Sequence, residues 1–168
     1  MWRTYLPRVF GGTKKEDVQG TGEPSEMPLL DWEAFSFVLS WMAELGEASR
    51  GLCIDERLCR AAQKHAEWLH VNRIRERRHI GEGGSTANER VRAEGYTLPG
   101  WYSEVGNQVE SVGEEFDAGP QQALANLLAS PHHRMHLLRL NDFFATHTRY
   151  GVGESGGYYV VLTAPVEM

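Results

Sequence analysis

The sequence predicts an α/β (α+β) fold in three layers, with helices on both sides of a central sheet. Three observations lead there. Amphipathic helical periodicities occupy the chain before residue 100, and strand patterns mix with helices after it. Two apolar strands near the C-terminus, Phe143–Val152 and Tyr158–Ala164, flank the turn Glu154-Ser-Gly-Gly157 and read as an antiparallel hairpin. The second strand is apolar on both faces, with Tyr159, Val161 and Thr163 alternating with Tyr158, Val160 and Leu162. A strand of that kind is central and needs helices on both sides.

Taken in order, residues 1–27 form an N-terminal extension and residues 28–168 the domain. Trp2, Tyr5, Leu6, Val9 and Phe10 are a small apolar cluster that can pack on the domain or on a partner. Gly11–Glu26 has the composition of a flexible linker. Asp31 opens a first helix to about Leu45, with Phe35, Val38, Leu39 and Met42 as its inner face. Asp55 caps a second helix to about Asn72, whose inner stripe is Leu58, Ala61, Ala62, His65 and Leu69. His65 on that stripe reads as a core histidine. Glycines around Glu82 specify a tight loop, and Thr86-Ala-Asn-Glu89 is a capping box for a third helix ending at Gly95. Trp101–Val112 alternates as a strand. Gly119-Pro120 starts a fourth helix through Ala129.

The totals exclude some functions. A net charge of −6 over 168 residues argues against a general nucleic-acid binder. The basic run Arg73–Arg78 reads as a solvated helix end. Cys53 and Cys59 are too few for a disulfide framework; a bridge between them is open but not implied, and two buried free thiols is the favoured reading. No stretch is apolar enough to span a membrane. The first residues lack the apolar core of a secretory signal, so the expectation is a cytoplasmic protein or one whose signal is already removed.

The stretch Ala129-Ser-Pro-His-His-Arg-Met-His-Leu-Leu-Arg-Leu140 gathers candidate chemistry. Ser130 is a good N-cap and Pro131 a good first helical residue, so a short helix carries His132, His133 and His136. His132 and His136 share a helix face and form a possible two-ligand metal pair, although exposed surface histidines are the simpler reading. They lack the intervening glutamate of a His-Glu-x-x-His protease.

Ala-Ser-Pro-His-His-Arg, followed by Tyr150-Gly-Val-Gly and Gly156-Gly-Tyr-Tyr-Val-Val161, resembles the bacterial SCP-like branch of the CAP superfamily. That superfamily groups the cysteine-rich secretory proteins, antigen 5 and the pathogenesis-related 1 proteins. Leu58–Ala66 is similar to an opening family helix, and His79 with Asn88–Tyr96 resembles its histidine loop and third helix. The likeness covers about residues 33–164, and His132 stands where a glycine is usual. The resemblance implies a three-layer α-β-α sandwich with a central antiparallel sheet, a bacterial or phage origin and a mostly secreted family.

It also implies a cleft with two histidines and one or two acidic residues, His79 and His133 by motif position. The acidic position falls on Glu104, or equally on Asn107. Glu114 or Glu115 is the candidate second acidic residue. Two neutral imidazoles and a carboxylate make a partial shell for Zn²⁺ or another divalent cation. The expected function is a CAP-type binding module for an unidentified small molecule, lipid, glycan or protein, rather than an enzyme. One alternative is a metal-dependent hydrolase using His79, His133 and Glu104, with cation-bound water as nucleophile. The other is a structural domain docking through its N-terminal extension.

Overall fold

A four-stranded sheet lies between two helical layers in the computed structural model, which describes residues 29–168. In chain order the elements are α1 (Trp32–Leu45), β1 (Cys53–Ile54), α2 (Glu56–Val71), α3 (Ala87–Ala93), β2 (Glu110–Glu114), α4 (Pro120–Ala129), α5 (Pro131–Leu137), α6 (Asp142–Ala145), β3 (His147–Ser155) and β4 (Tyr158–Pro165). The predicted apolar cluster and linker of residues 1–27 lie outside the described residues.

The sheet order is β1-β3-β4-β2. β4 pairs antiparallel with both β3 and β2, but β1 runs parallel to β3, so the sheet is mixed and not purely antiparallel. The expected hairpin forms with Ser155 opposite Tyr158, and both turn residues, Gly156 and Gly157, have positive φ as a tight twisted turn requires. β4 is central, and its side chains alternate between two cores. Tyr158, Val160 and Leu162 pack with Leu58, Ala62 and Leu69 of α2 and Val91 of α3. Tyr159 and Val161 pack with Phe37 and Trp41 of α1 and Leu124 and Leu127 of α4.

Local signals set most helix starts. Asp31 accepts from the Ala34 amide, Asp55 from Arg57 and Leu58, and the Thr86–Glu89 capping box closes in both directions. The α2 stripe is buried as its periodicity indicates.

Five expectations are corrected. On α1 the buried face is Ala34, Phe37, Val38, Trp41 and Leu45, while Phe35 and Leu39 are exposed. The helix carries two apolar stripes; Trp41 Nε1 donating to Leu137 O at 2.8 Å and Phe37 stacking on Tyr159 select one of them. Trp101–Val112 is not one strand. Pairing begins at Glu110, because Gln108 Oε1 accepts from the Ser103 amide and Asn88 Nδ2 and folds the preceding segment on itself. Ser130 precedes α5 without a side-chain cap bond. Residues 142–145 form the short α6, so β3 starts at His147 and not at Phe143. Both cysteines are free as expected, but Cys53 is exposed and only Cys59 is buried.

Candidate functional site

The candidate site is a cleft of about 210 Å³ where the start of β2 faces α5 and the loop that leads into α3. That loop is closed by the Gly81 amide donating to Ser85 O at 2.8 Å. The Arg90 guanidinium donates to His79 O and Ser85 O, which holds the His79 backbone in place.

Glu110 is the centre of the arrangement. Its side chain is fully buried, with Arg90 Nη2 at 2.7 Å from Oε2 and His79 Nδ1 at 3.0 Å from Oε1. His65 Nε2 lies farther off, 3.9 Å from Oε1. Burial alone would raise the Glu110 pKa; the His79 hydrogen bond and the Arg90 and His65 charges outweigh it and hold the carboxyl below its ordinary range. Asn107 fixes the approach to β2, its Oδ1 accepting from the Glu110 amide at 2.9 Å. Asn107 Nδ2 also lies 3.2 Å from His79 Nδ1. Both groups cannot donate to each other, and the charge-assisted bond to the carboxylate prevails. His79 Nδ1 therefore carries the proton and Nε2 keeps its lone pair.

His133, on α5, faces His79 with ring centroids 6.4 Å apart. Burial, then the neighbouring His79, Arg78 and His132, lower its pKa, so its imidazole is neutral and able to ligate. The arrangement of Glu110 behind a histidine is the carboxylate–imidazole pairing that orients a metal-binding ring.

Behind the cleft runs a buried polar chain. Ser111 Oγ is 2.6 Å from His136 Nδ1, and His136 Nε2 is 2.6 Å from Thr163 Oγ1. Thr163 Oγ1 is also 2.7 Å from His147 Nδ1, and Tyr102 OH is 2.7 Å from His147 Nε2. The Thr163 hydroxyl donates to one ring and accepts from the other, so every buried ring nitrogen in the chain is satisfied.

The structure brings together only some of the residues singled out in the sequence. His79, His133 and Asn107 line the cleft. Glu104 does not; it is exposed beside Arg92 in a separate depression, and the carboxylate bonded to His79 is that of Glu110. Glu114 pairs with Arg78 at 3.1 Å and Arg75 at 3.7 Å. Glu115 accepts from the Asp117 and Ala118 amides and from Asn126, and so holds the turn before α4. His132 and His136 both border the cleft, but they do not act as a pair: His132 is exposed, while His136 is buried with both nitrogens engaged. Sequence reasoning missed Glu110, Arg90 and Ser111. The signal for Glu110 was an acidic residue in the otherwise small or apolar run Val109–Gly113. Among the described residues, no three His, Cys, Asp or Glu side chains gather closely enough to hold a metal ion together. The nitrogens that the cleft could offer a cation are those of His79 and His133.

No protein-family model matches the chain, and no curated protein matches it. Two solved structures share its fold. One is an extracellular protein containing an SCP domain from Bacillus anthracis, at 21% identity and a TM-score of 0.52; the match covers 68% of this chain and 34% of that one. The chain thus spans about a third of that protein's length. The other is an outer surface protein of Borrelia burgdorferi, at 20% identity and a TM-score of 0.55, covering 82% of this chain and 97% of that one. Among the described residues no helix is long and apolar enough to cross a membrane. The two-core sandwich, its hairpin and these neighbours together give the chain an SCP/CAP-like fold.

Proposed function

We propose that the chain is a CAP-type binding module whose cleft holds a divalent cation such as Zn²⁺ between His79 and His133. The observation that carries this reading is the 3.0 Å bond between His79 Nδ1 and the buried Glu110 carboxylate. It directs the Nδ1 proton to the carboxylate and leaves Nε2 as the ring's other nitrogen, in the same cleft as His133, whose pKa burial lowers. Bound there, the cation would offer its remaining coordination sites to a donor atom of a ligand. His79 and His133 hold it, Glu110 orients His79, and Arg90 neutralises Glu110. A cleft of about 210 Å³ accommodates an ion and a few atoms, so a lipid, glycan or protein ligand would enter only in part.

A binding role is favoured over hydrolysis by the state of Glu110. Its carboxylate is held by Arg90 and His79 with its pKa lowered, which makes it a poor general base for an attacking water. Calorimetric titration with Zn²⁺ tests the proposal on the wild type, His79→Ala and His133→Ala. Saturable binding that is lost in both variants supports it. No binding in the wild type, or binding that survives both substitutions, overturns it.

A further inference from the structure

The outer face of α1 is an exposed apolar stripe. Trp32 is 73% exposed, Leu39 55% and Phe35 43%, with Leu29 exposed just ahead of the helix. Their spacing puts these side chains opposite the buried Ala34, Phe37, Val38 and Trp41. The Trp32 and Phe35 rings lie with centroids 6.1 Å apart. One exposed apolar side chain is ordinary, but a row of them along a helix marks a contact surface.

Acids flank the stripe. Asp31 and Glu33 stand at the start of α1 and Glu44 near its end, and the helix has no Lys or Arg. Among the described residues, no cation lies within ion-pair distance of Asp31, Glu33 or Glu154. Burial raises the Glu154 pKa, and the charges of Asp31 and Glu33 add to it. A second copy of the chain is a poor occupant. Two α1 faces brought together would set carboxylates against carboxylates with no cation between them.

The chain itself supplies the complement. Residues 1–10 hold Trp2, Tyr5, Leu6, Val9 and Phe10. The first fifteen residues carry Arg3, Arg8, Lys14 and Lys15 and no acid, in a chain of net charge −6. Apolar side chains interleaved with cations match an apolar stripe flanked by acids. Residues 11–28 join Phe10 to Leu29, which adjoins the stripe. A flexible linker of that length spans about 23 Å r.m.s.. The 14 residues of α1 extend about 21 Å, so Phe10 can reach any part of the stripe. The tether holds the segment at an effective concentration on the order of millimolar. We infer that residues 2–10 dock on the outer face of this chain's own α1, with their apolar side chains on Trp32 and Phe35 and their arginines beside Asp31 and Glu33. A contact of so few anchors opens readily and adds little to global stability. It needs no cation in the cleft.

Paramagnetic relaxation enhancement on the full chain tests this. A nitroxide is attached at Thr4→Cys in a Cys53→Ser background. Cys59 is buried, with its thiol pKa pushed up to about 11, and does not take the label. The expected result is loss of the amide signals of residues 32–39, while those of α2, on the other side of the sheet, persist. Trp32→Ser, at an exposed position that tolerates substitution, should restore the signals of residues 35–39. Glu33→Lys should weaken docking about threefold and restore them in part. Circular dichroism of each variant reports its folding. If the variants lose the signals as fully as the parent does, the nitroxide reports only a tethered chain, and the inference is overturned. An unchanged spectrum in the parent overturns it too. Isotope-labelled chain without nitroxide, mixed with unlabelled chain that carries it, separates the remaining occupant. Signals kept in that mixture support docking within one chain, and signals lost there place the segment on a second copy and overturn it.

Discussion

Arg90 Nη2 and Glu110 Oε2 form an ion pair at 2.7 Å, with the carboxylate fully buried and the guanidinium 11% exposed. The pair ties the cleft, which Glu110 lines, to α3, which carries Arg90. Glu110 bonds the His79 ring, and Arg90 also donates to His79 O and Ser85 O. Removing one member leaves the other as an uncompensated buried charge. Glu110→Gln should therefore destabilise the fold by about 3 kcal/mol. A urea denaturation midpoint checks this, and the double variant Glu110→Leu/Arg90→Met should recover part of the loss.

Acid should weaken the fold well above the carboxylate range. Burial, then the nearby His147, His133 and His79, push the His136 pKa down to about 3. Burial and then Arg139 push His147 down to about 4. In the unfolded chain both titrate near ~6.5, so below that pH the unfolded state binds two protons that the native state refuses. The stability they contribute is complete above about pH 6.5 and is lost as pH falls toward 4, at about 1.4 kcal/mol per pH unit for each histidine. Denaturant melts at pH 7, 6 and 5 measure the slope. In His147→Phe it should fall by about 1.4 kcal/mol per pH unit, the share of one histidine.

The contact of α2 with β3 depends on two missing side chains. A Cβ on Gly151 would collide with the Leu58 and Cys59 backbone, and one on Gly153 with the Ala62 and Gln63 backbone. A helix backbone cannot yield as a flexible side chain would. Gly153→Ala should cost more than about 3 kcal/mol, as overpacking against a rigid element does. A thermal melt followed by circular dichroism, or loss of the folded protein on expression, checks it.

The two stripes of α1 can be told apart by substitution. Phe37 is fully buried against Tyr159, so Phe37→Ala should cost about 3–5 kcal/mol. Leu39 is 55% exposed, so Leu39→Lys should stay within about 0.5 kcal/mol of the wild type. Equal losses at both positions would show that the second stripe is also covered in solution.

The fold was legible wherever its signal was local. The aspartate caps of α1 and α2, the Thr86–Glu89 box, Pro120 at the start of α4 and the Gly156-Gly157 turn each act within a few residues. The doubly apolar Tyr158–Leu162 run announced a central strand covered on both sides, and the two cores bear that out. Trp101–Gln108 misled because its alternation is genuine, while its conformation is set by Asn88 and Gln108 side chains bonding across the loop.

The site was legible in half. His79 and His133 stand in recognisable motifs and share one cleft. Their acidic companion could not be located from spacing, because a shift of six residues, from Glu104 to Glu110, is absorbed by a loop whose path no local rule describes. The buried chain through Tyr102, Ser111, His136, His147 and Thr163 had no signal at all, since its members come from a loop, three strands and a helix.

The sequence by itself determined most of the helices, where they begin, and that the last strand lies at the centre of a layered fold. Periodicity, capping and turn chemistry are properties of neighbouring residues and act before any tertiary contact is made. Tertiary structure alone decided which stripe of α1 faces inward, that β1 joins parallel to β3, and that Glu110 completes the site. Each of these depends on the register and packing of segments far apart in the chain, where burial makes one pairing of side chains much cheaper than its alternatives.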